Sequence, residues 1–304
     1  MSLADEPTIA FDRVPEGGEV HDSGSVLRLV LRTFLENRLA LAGLVIVVLV
    51  TLFCFIGPLL YSSDQVHSNL LNANIPPGLG HPLGTDDNGY DILGRLMAGG
   101  QSSIEVGISV ALIATTMGVL WGAIAGFVGG TVDAVMMRVV DVVLAIPVVF
   151  LFIFLASVIQ PSLGLLILVL ALLSWLGPAR LVRGETLSLR TREYVQATRV
   201  MGGGSWRAVL RHIVPNTIGT IIVNATFQVA DAVLVLATLQ FLGFGLPPPT
   251  ATWGGMLANG TQYLFDGYWW MVYPAGALIV LTVLAFNFIG DGLRDSLEVR
   301  LQRR

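Results

Sequence analysis

The sequence contains no lysine, and charged residues of all kinds make up only 12% of its 304 residues. Each of the 17 basic residues is therefore an arginine. A P-loop needs a lysine on the nucleotide phosphates, and Schiff-base chemistry needs a lysine amine, so this chain by itself performs neither. Because the net charge is −4, the chain also offers no basic field for nucleic acid.

Cysteine is almost absent as well. The single cysteine, Cys54, lies inside an apolar run. A single cysteine excludes both an internal disulfide bond and a cysteine-based zinc site within this chain.

Hydrophobic residues are abundant, at 54% of the chain. A transmembrane helix needs roughly 20 apolar residues to cross about 30 Å of hydrocarbon. Long runs without charge predict an all-α integral membrane protein with six transmembrane helices. The predicted spans are residues 39–61, 104–128, 134–158, 163–181, 216–245 and 269–292.

The arginines predict the orientation of these spans. With the N-terminus in the cytoplasm, 16 of the 17 arginines fall on the cytoplasmic side, and only Arg95 lies outside. Basic loops are retained in the cytoplasm, so both termini are expected there.

Three segments are predicted along the chain. Residues 1–24 are acidic and lack periodicity, which is typical of a disordered cytoplasmic tail. In residues 25–38, apolar residues recur at helical spacing on the face opposite Arg28 and Arg32. This pattern predicts an amphipathic helix that lies in the membrane surface. Residues 39–304 hold the six spans, with a large cytoplasmic loop at 183–215.

The 193–215 part of that loop has the pattern of two short helices. Ala197, Thr198 and Met201 share a face of the first helix, Gly202 begins a glycine break, and Trp206 opens an apolar stripe on the second. The pattern fits either a docking element for another protein or an amphipathic loop packed on the base of its own bundle.

Among the polar residues inside the predicted spans, where such groups are costly unless paired or facing water, four are candidates for a role in the pore. Asn224, Gln228 and Asp231 form a stripe at helical spacing in the fifth span. The stripe fits a pore lining or a set of hydrogen bonds between helices. Asp141 lies one turn after Arg138 in the third span, which favours an ion pair between these two neighbours over a role in transport.

Several motifs resemble a known family. Gln196-Ala197-Thr198, then Gly202, then His212-Ile213-Val214-Pro215 resembles the Glu-Ala-Ala…Gly…Ile-x-Leu-Pro loop of the membrane subunits of ATP-binding-cassette importers. Three more blocks are similar to those of dipeptide/oligopeptide/nickel permeases, and the start of the first span is similar to their C-type subunit. These blocks are His81-Pro82-Leu83-Gly84-Thr85-Asp86, Pro248-Pro249 with Trp253-Gly254, and Gly290-Asp291-Gly292-Leu293-Arg294-Asp295.

The resemblance implies the fold of a type I importer, in a bacterial cell membrane. The chain would pair with a homologous B-type permease subunit, contact two ATPase subunits and receive peptides from an extracytoplasmic substrate-binding protein. ATP and magnesium would bind the ATPase subunits, and this chain would bind no cofactor and catalyse no reaction. The residues expected to contact the ATPase are Gln196, Ala197, Thr198, Met201, Gly202, Trp206 and Pro215. Gln240 departs from the family, which usually has a serine there.

Two other classes of protein compete with this interpretation. A proton-coupled secondary carrier would use Asp231 and Asp141 as a relay, but such carriers show inverted repeats and none is visible here. An intramembrane enzyme would need a nucleophile or a metal set, and no such set is visible within the predicted spans.

Overall fold

The computed structural model describes residues 23–147, 150–151, 154, 158–159, 161–193, 195–196 and 209–302. Ten α-helices have both of their ends within these ranges. They are α1 (Ser23–Glu36), α2 (Arg38–Phe55), α3 (Gly57–Leu60), α4 (Ile92–Val128), α5 (Gly130–Leu144), α6 (Leu163–Ser174), α7 (Leu176–Leu189), α8 (Val214–Phe241), α9 (Trp253–Thr261) and α10 (Tyr273–Gln302). A π-helical turn, Val209–Ile213, leads directly into α8.

Side chains at the helix starts explain several of these boundaries. In α2, α4, α6 and α9 the residue before the helix accepts a hydrogen bond from a backbone N–H of the first turn. These residues are Asn37, Asp91, Ser162 and Thr252. Gly129 ends α4 with φ of 70°, a left-handed conformation that a side chain would strain.

Five stretches of the described chain are long and apolar enough to cross a membrane. They are Arg38–Phe55, Ile92–Val128, Leu163–Leu189, Val214–Phe241 and Trp269–Leu297. The first, second, fourth, fifth and sixth predicted spans fall on these stretches. The third predicted span, 134–158, contains α5 as far as Leu144 and includes residues outside the described ranges.

Two helices extend beyond the predicted spans. The second span was expected to begin at residue 104, but α4 begins at Ile92, because Asp91 caps the helix a full three turns before the apolar run. The fourth span was expected to end at residue 181, but helix continues from α6 through α7 to Leu189. Both helices therefore extend past the apolar part of the sequence.

The long helix α4 is the centre of the fold. It packs along α7 and α8, while α10 packs against both α2 and α8. Near the end of α4, Val119 and Phe127 form an apolar cluster with Val182 of α7, with Val195 and with Ile213. The two ends of the predicted cytoplasmic loop are thus packed against the end of α4.

Candidate functional site

The predicted ATPase-contacting residues divide between described and undescribed parts of the chain. Gln196 is exposed, and its Nε2 donates to the backbone oxygen of Thr191 over 3.1 Å. Pro215 is exposed in the first turn of α8, where its lack of an N–H costs no helical hydrogen bond. Ala197, Thr198, Met201, Gly202 and Trp206 lie outside the described residues.

Arginines of α7 bind aspartates of α5 next to this loop. Arg183 makes a two-pronged ion pair with Asp133, with Nε–Oδ1 and Nη2–Oδ2 distances of 2.5 and 2.6 Å. Arg180 pairs with Asp141. A planar guanidinium suits such a carboxylate, because two parallel N–H donors match its two oxygens.

The expected pairing of Asp141 with Arg138 was wrong. The partner of Asp141 is Arg180, which is 39 residues away in sequence and lies on another helix. Helical spacing alone favours the near neighbour, but the packing of α5 against α7 brings the distant arginine closer. Beside these pairs, Arg190 Nη1 donates to the backbone oxygen of Gly126 over 3.0 Å.

The polar stripe of α8 splits in the structure. Gln228 is buried, and its Nε2 donates to the backbone oxygen of Ser174 over 2.6 Å. Asp231 lies on the exposed side of α8. Asn224 lines a groove of about 420 Å³ with Phe227 and Arg294, among other residues. Gln228 thus makes a hydrogen bond between helices, as one interpretation of the stripe predicts. Asp231 is exposed, so it is accessible to a neighbouring subunit or to a pore.

The motif block that ends at Asp86 and the block that contains Pro249 meet near the start of α4, at the end of this helix away from the 183–215 loop. Arg95 Nη1 donates to the backbone oxygen of Pro249 over 2.6 Å, and its Nε lies 3.5 Å from Asp86 Oδ2. The guanidinium carbon also lies 4.0 Å from the centroid of the Tyr90 ring. Trp253 is fully buried, and its indole N–H donates to the backbone oxygen of Leu96 over 2.9 Å. The loop before α4 is therefore joined to the loop before α9.

Asp91 organises the same region. Its Oδ1 caps α4, while its Oδ2 lies 2.9 Å from both the Tyr61 hydroxyl and His81 Nδ1. Burial raises the pKa of Tyr61 to about 12, and the hydrogen bond and charge of Asp91 act in the same direction. Tyr61 therefore remains a neutral hydrogen-bond donor to this carboxylate.

A cavity of about 320 Å³ opens beside these contacts. Its lining includes Asp86, Asp87, Arg95, Gln240 and Asn259. Burial raises the pKa of Asp86, while the N–H of Tyr90 and the charge of Arg95 act against that shift. The charge of Asp87 raises the pKa of the Tyr263 hydroxyl.

The described residues include no group of side chains arranged to hold a metal ion. No cluster of three or more histidine, cysteine, aspartate or glutamate side chains there has the arrangement of a metal site.

Comparison with known proteins gives consistent matches over nearly the whole chain. Residues 118–303 match the family described as binding-protein-dependent transport system inner membrane component, and residues 25–77 match the N-terminal TM domain of oligopeptide transport permease C. The oligopeptide transport system permease protein OppC of Bacillus subtilis (strain 168) is 40% identical over 270 residues, covering 89% of this chain and 88% of that protein.

Two further relatives extend this similarity. The dipeptide transport system permease protein DppC of Bacillus subtilis (strain 168) is 38% identical over 90% of this chain and 85% of its own length. The oligopeptide transport system permease protein OppC of Escherichia coli (strain K12) is 39% identical over 98% of this chain and 99% of its own length.

Proposed function

The chain belongs to the family of binding-protein-dependent transport system inner membrane components, and from that membership we propose that it forms half of the pore of an ATP-driven peptide importer. It is a multi-pass membrane permease component that works with partner subunits and is not itself an ATPase. The observation that carries the proposal is the 39% identity to an oligopeptide permease over 98% of this chain.

The proposed partners follow from the same membership. A homologous B-type permease supplies the other half of the pore, two ATPase subunits or one two-domain ATPase supply the work, and an extracytoplasmic binding protein delivers the peptide. No cofactor is bound by this chain, since ATP and magnesium belong to the ATPase subunits. Most of the outward-facing apolar side chains, such as Leu112 and Phe150, then contact lipid or the partner permease.

The proposed topology has six spans with both termini in the cytoplasm. Residues 1–24 are a tail, 25–38 an interfacial helix and 39–304 the permease domain, with α5 and the residues after it forming the third span. Its support is the placement of 16 of 17 arginines on one side. A C-terminal reporter that is active only outside the cytoplasm tests it, and activity of that reporter contradicts this orientation.

The coupling residues are proposed to contact the ATPase through the 193–215 loop. Gln196, Ala197, Thr198, Met201, Gly202, Trp206 and Pro215 form the proposed contact. Its support is the position of the loop between α7 and α8, because both of these helices pack against α4 and so connect the loop mechanically to the bundle.

Reconstitution tests the proposed function against the proton-coupled carrier. We expect proteoliposomes with the whole importer, the binding protein and internal ATP to accumulate a labelled oligopeptide. Vesicles with this chain alone are expected to accumulate none, even under an imposed proton gradient. Accumulation by the chain alone, driven by that gradient, contradicts the proposal and favours the carrier.

Asp231 is proposed to face the pore, with Asn224 and Asp141 as further candidates and Gln228 behind them. We expect Asp231→Asn to lower uptake several-fold without lowering the thermal midpoint of the complex, because the carboxylate lies on an exposed surface. Initial uptake rates and thermal unfolding of the reconstituted importer measure the two effects.

The matched variant for that test is Gln228→Leu, one turn earlier on α8. It removes the donor to the Ser174 carbonyl, which costs about 1 kcal/mol, so stability rather than substrate preference is expected to change. Unchanged uptake in Asp231→Asn contradicts a pore role for the stripe.

A further inference from the structure

A tight turn in the loop before α4 carries a leucine at its tip. Gly78 and His81 exchange two backbone hydrogen bonds, with N–O distances of 3.0 and 3.2 Å, so Leu79 and Gly80 are the central residues of the turn. Gly80 has φ of 92°, a left-handed conformation that favours glycine at this position. Leu79 is fully exposed. The backbone therefore holds an apolar side chain away from the rest of the described chain.

Two contacts fix the position of this turn. The Tyr61 hydroxyl donates to the backbone oxygen of Gly80 over 3.2 Å. On the other side of the turn, His81 Nδ1 lies 2.9 Å from Asp91 Oδ2, and Asp91 caps α4. Because the turn is held at both of these points, Leu79 loses its exposure only when a molecule outside the described chain covers it.

The turn lies where the first span leaves the membrane. At 1.5 Å per residue, α2 and α3 together extend for roughly 34 Å, slightly more than the hydrocarbon thickness of about 30 Å. Leu59 and Leu60 at the end of α3 are strongly exposed, and residues 62–64 are polar. Tyr61, which holds the turn, thus lies at the boundary between lipid and water, where tyrosine is enriched.

The start of α10 marks the same boundary independently. Trp269 and Tyr273 are about half exposed, as expected of aromatic side chains at the membrane surface. The neighbouring Trp270 donates its indole N–H to the backbone oxygen of Thr85 over 3.1 Å. The N–H of Thr85 donates in turn to the backbone oxygen of Ile75 over 2.9 Å. The segment that leads into the turn is therefore attached to a second span end at its aromatic residues.

The chemistry of the segment identifies what covers Leu79. Residues 68–80 contain no charged side chain. Exposed apolar side chains recur at helical spacing along α2, at Leu41, Val45, Val48 and Leu52. Leu59 and Leu60 continue this surface, and Tyr61 joins it to the turn. An uncharged tip that is continuous with the apolar surface of a span favours lipid over a charged protein surface.

We propose that the 78–81 turn is a membrane anchor, in which Leu79 inserts among the lipid chains beside Leu59 and Leu60. The anchor lies at the membrane surface away from the 183–215 loop. Through His81 and Asp91 it holds the start of α4 at that surface. The proposal goes beyond the proposed function, since it does not depend on the solute that is carried.

Spin labelling of the assembled importer in nanodiscs of phosphatidylethanolamine and phosphatidylglycerol, without the binding protein, tests the proposal. Leu79→Cys carries the label, because Cys54 is fully buried and the cysteines of the other subunits are replaced. Oxygen concentrates among lipid chains, while a nickel chelate stays in water. We expect oxygen to relax the label at position 79 severalfold more effectively than the chelate. The order should be reversed for Asp64→Cys, an exposed position of the same loop.

A label at Pro77→Cys, with the leucine still in place, tests whether Leu79 holds the turn in lipid. We expect Leu79→Asp to lower the ratio of oxygen to chelate accessibility at position 77 severalfold, because a carboxylate is costly among lipid chains. Leu71→Asp is the matched control and should leave that ratio unchanged. Leu71 is almost fully exposed in the same loop but lies outside the turn.

A label at position 79 that the chelate reaches better than oxygen places the turn in water, and a label shielded from both places it against protein. Either result overturns the proposal. An unchanged ratio at position 77 in Leu79→Asp overturns it as well. Peptide uptake by the unaltered importer is measured separately, so these results leave the proposed function standing.

Discussion

Replacing Gly122 with alanine is expected to destabilise the protein by about 1–3 kcal/mol, because the added methyl group overpacks a helix contact. An ideal Cβ at this position would lie 2.3 Å from the backbone oxygen of Ala179 and 2.9 Å from the backbone nitrogen of Arg183. Backbone atoms of α7 yield less easily than the end of a flexible side chain, so α4 and α7 must separate. Thermal unfolding of the purified protein in detergent measures the effect.

The contact extends over three turns of α4. Gly118, Gly122 and Gly126 recur every four residues, and a Cβ on any of them would meet atoms of α7 within 2.7 Å. Small residues at this spacing let two helices approach closely, which is a principal source of helix association in membranes.

Gly184→Ala provides the matched control, because it adds the same methyl group to α7 where nothing lies within 4 Å. Glycine is a poorer helix former than alanine by about 1 kcal/mol, so this variant should be neutral or slightly more stable. If the two variants unfold at the same temperature, the close approach of α4 and α7 does not stabilise the protein.

Hydropathy predicted the spans well because lipid imposes a length and a composition on each helix. Five of the six predicted spans coincide with long apolar helices. It does not predict where each helix begins, because α4, for example, begins at a capping side chain and not at the first residue of the apolar run. Asp91 starts α4 outside the apolar run, and sequence periodicity contains no signal that separates this aspartate from its neighbours Asp86 and Asp87.

The sequence identifies candidate residues of the site, but it does not predict which of them are buried or which groups they contact. Spacing places Asn224, Gln228 and Asp231 on one side of α8, but the rotation of the helix decides that Gln228 is buried and Asp231 exposed. Gln240 differs from the family pattern, which was a usable signal. That its amide has no hydrogen-bond partner within the described part of the chain emerges only from the packing of α8 against α9.

The ion pair between Asp133 and Arg183 is expected to link movement of the proposed coupling loop to α5. Arg183 lies two turns before the end of α7, where the chain enters the loop, and Asp133 lies in the first turn of α5. We expect Arg183→Asp to lower peptide uptake at least tenfold while ATP hydrolysis continues, because movement of the loop no longer carries α5 with α7. The broken pair also costs about 1–3 kcal/mol, less than a fully buried pair because Arg183 is partly exposed.

Exchanging the two residues separates a coupling role from simple damage. The double variant Asp133→Arg with Arg183→Asp restores opposite charges across the contact, and we expect it to recover a substantial part of the uptake. Arg138→Gln on the exposed side of α5, compared with Arg183→Gln, controls for the loss of one positive charge from this end of the bundle. Uptake and ATP hydrolysis are measured together in the same proteoliposomes. If the exchange fails to rescue uptake in a complex that assembles normally, or if Arg183→Gln and Arg138→Gln behave alike, the pair does not transmit the motion. The apolar contacts of Val195 and Ile213 with the end of α4, and the hydrogen bond of Arg190 there, then remain as routes from the loop into the bundle.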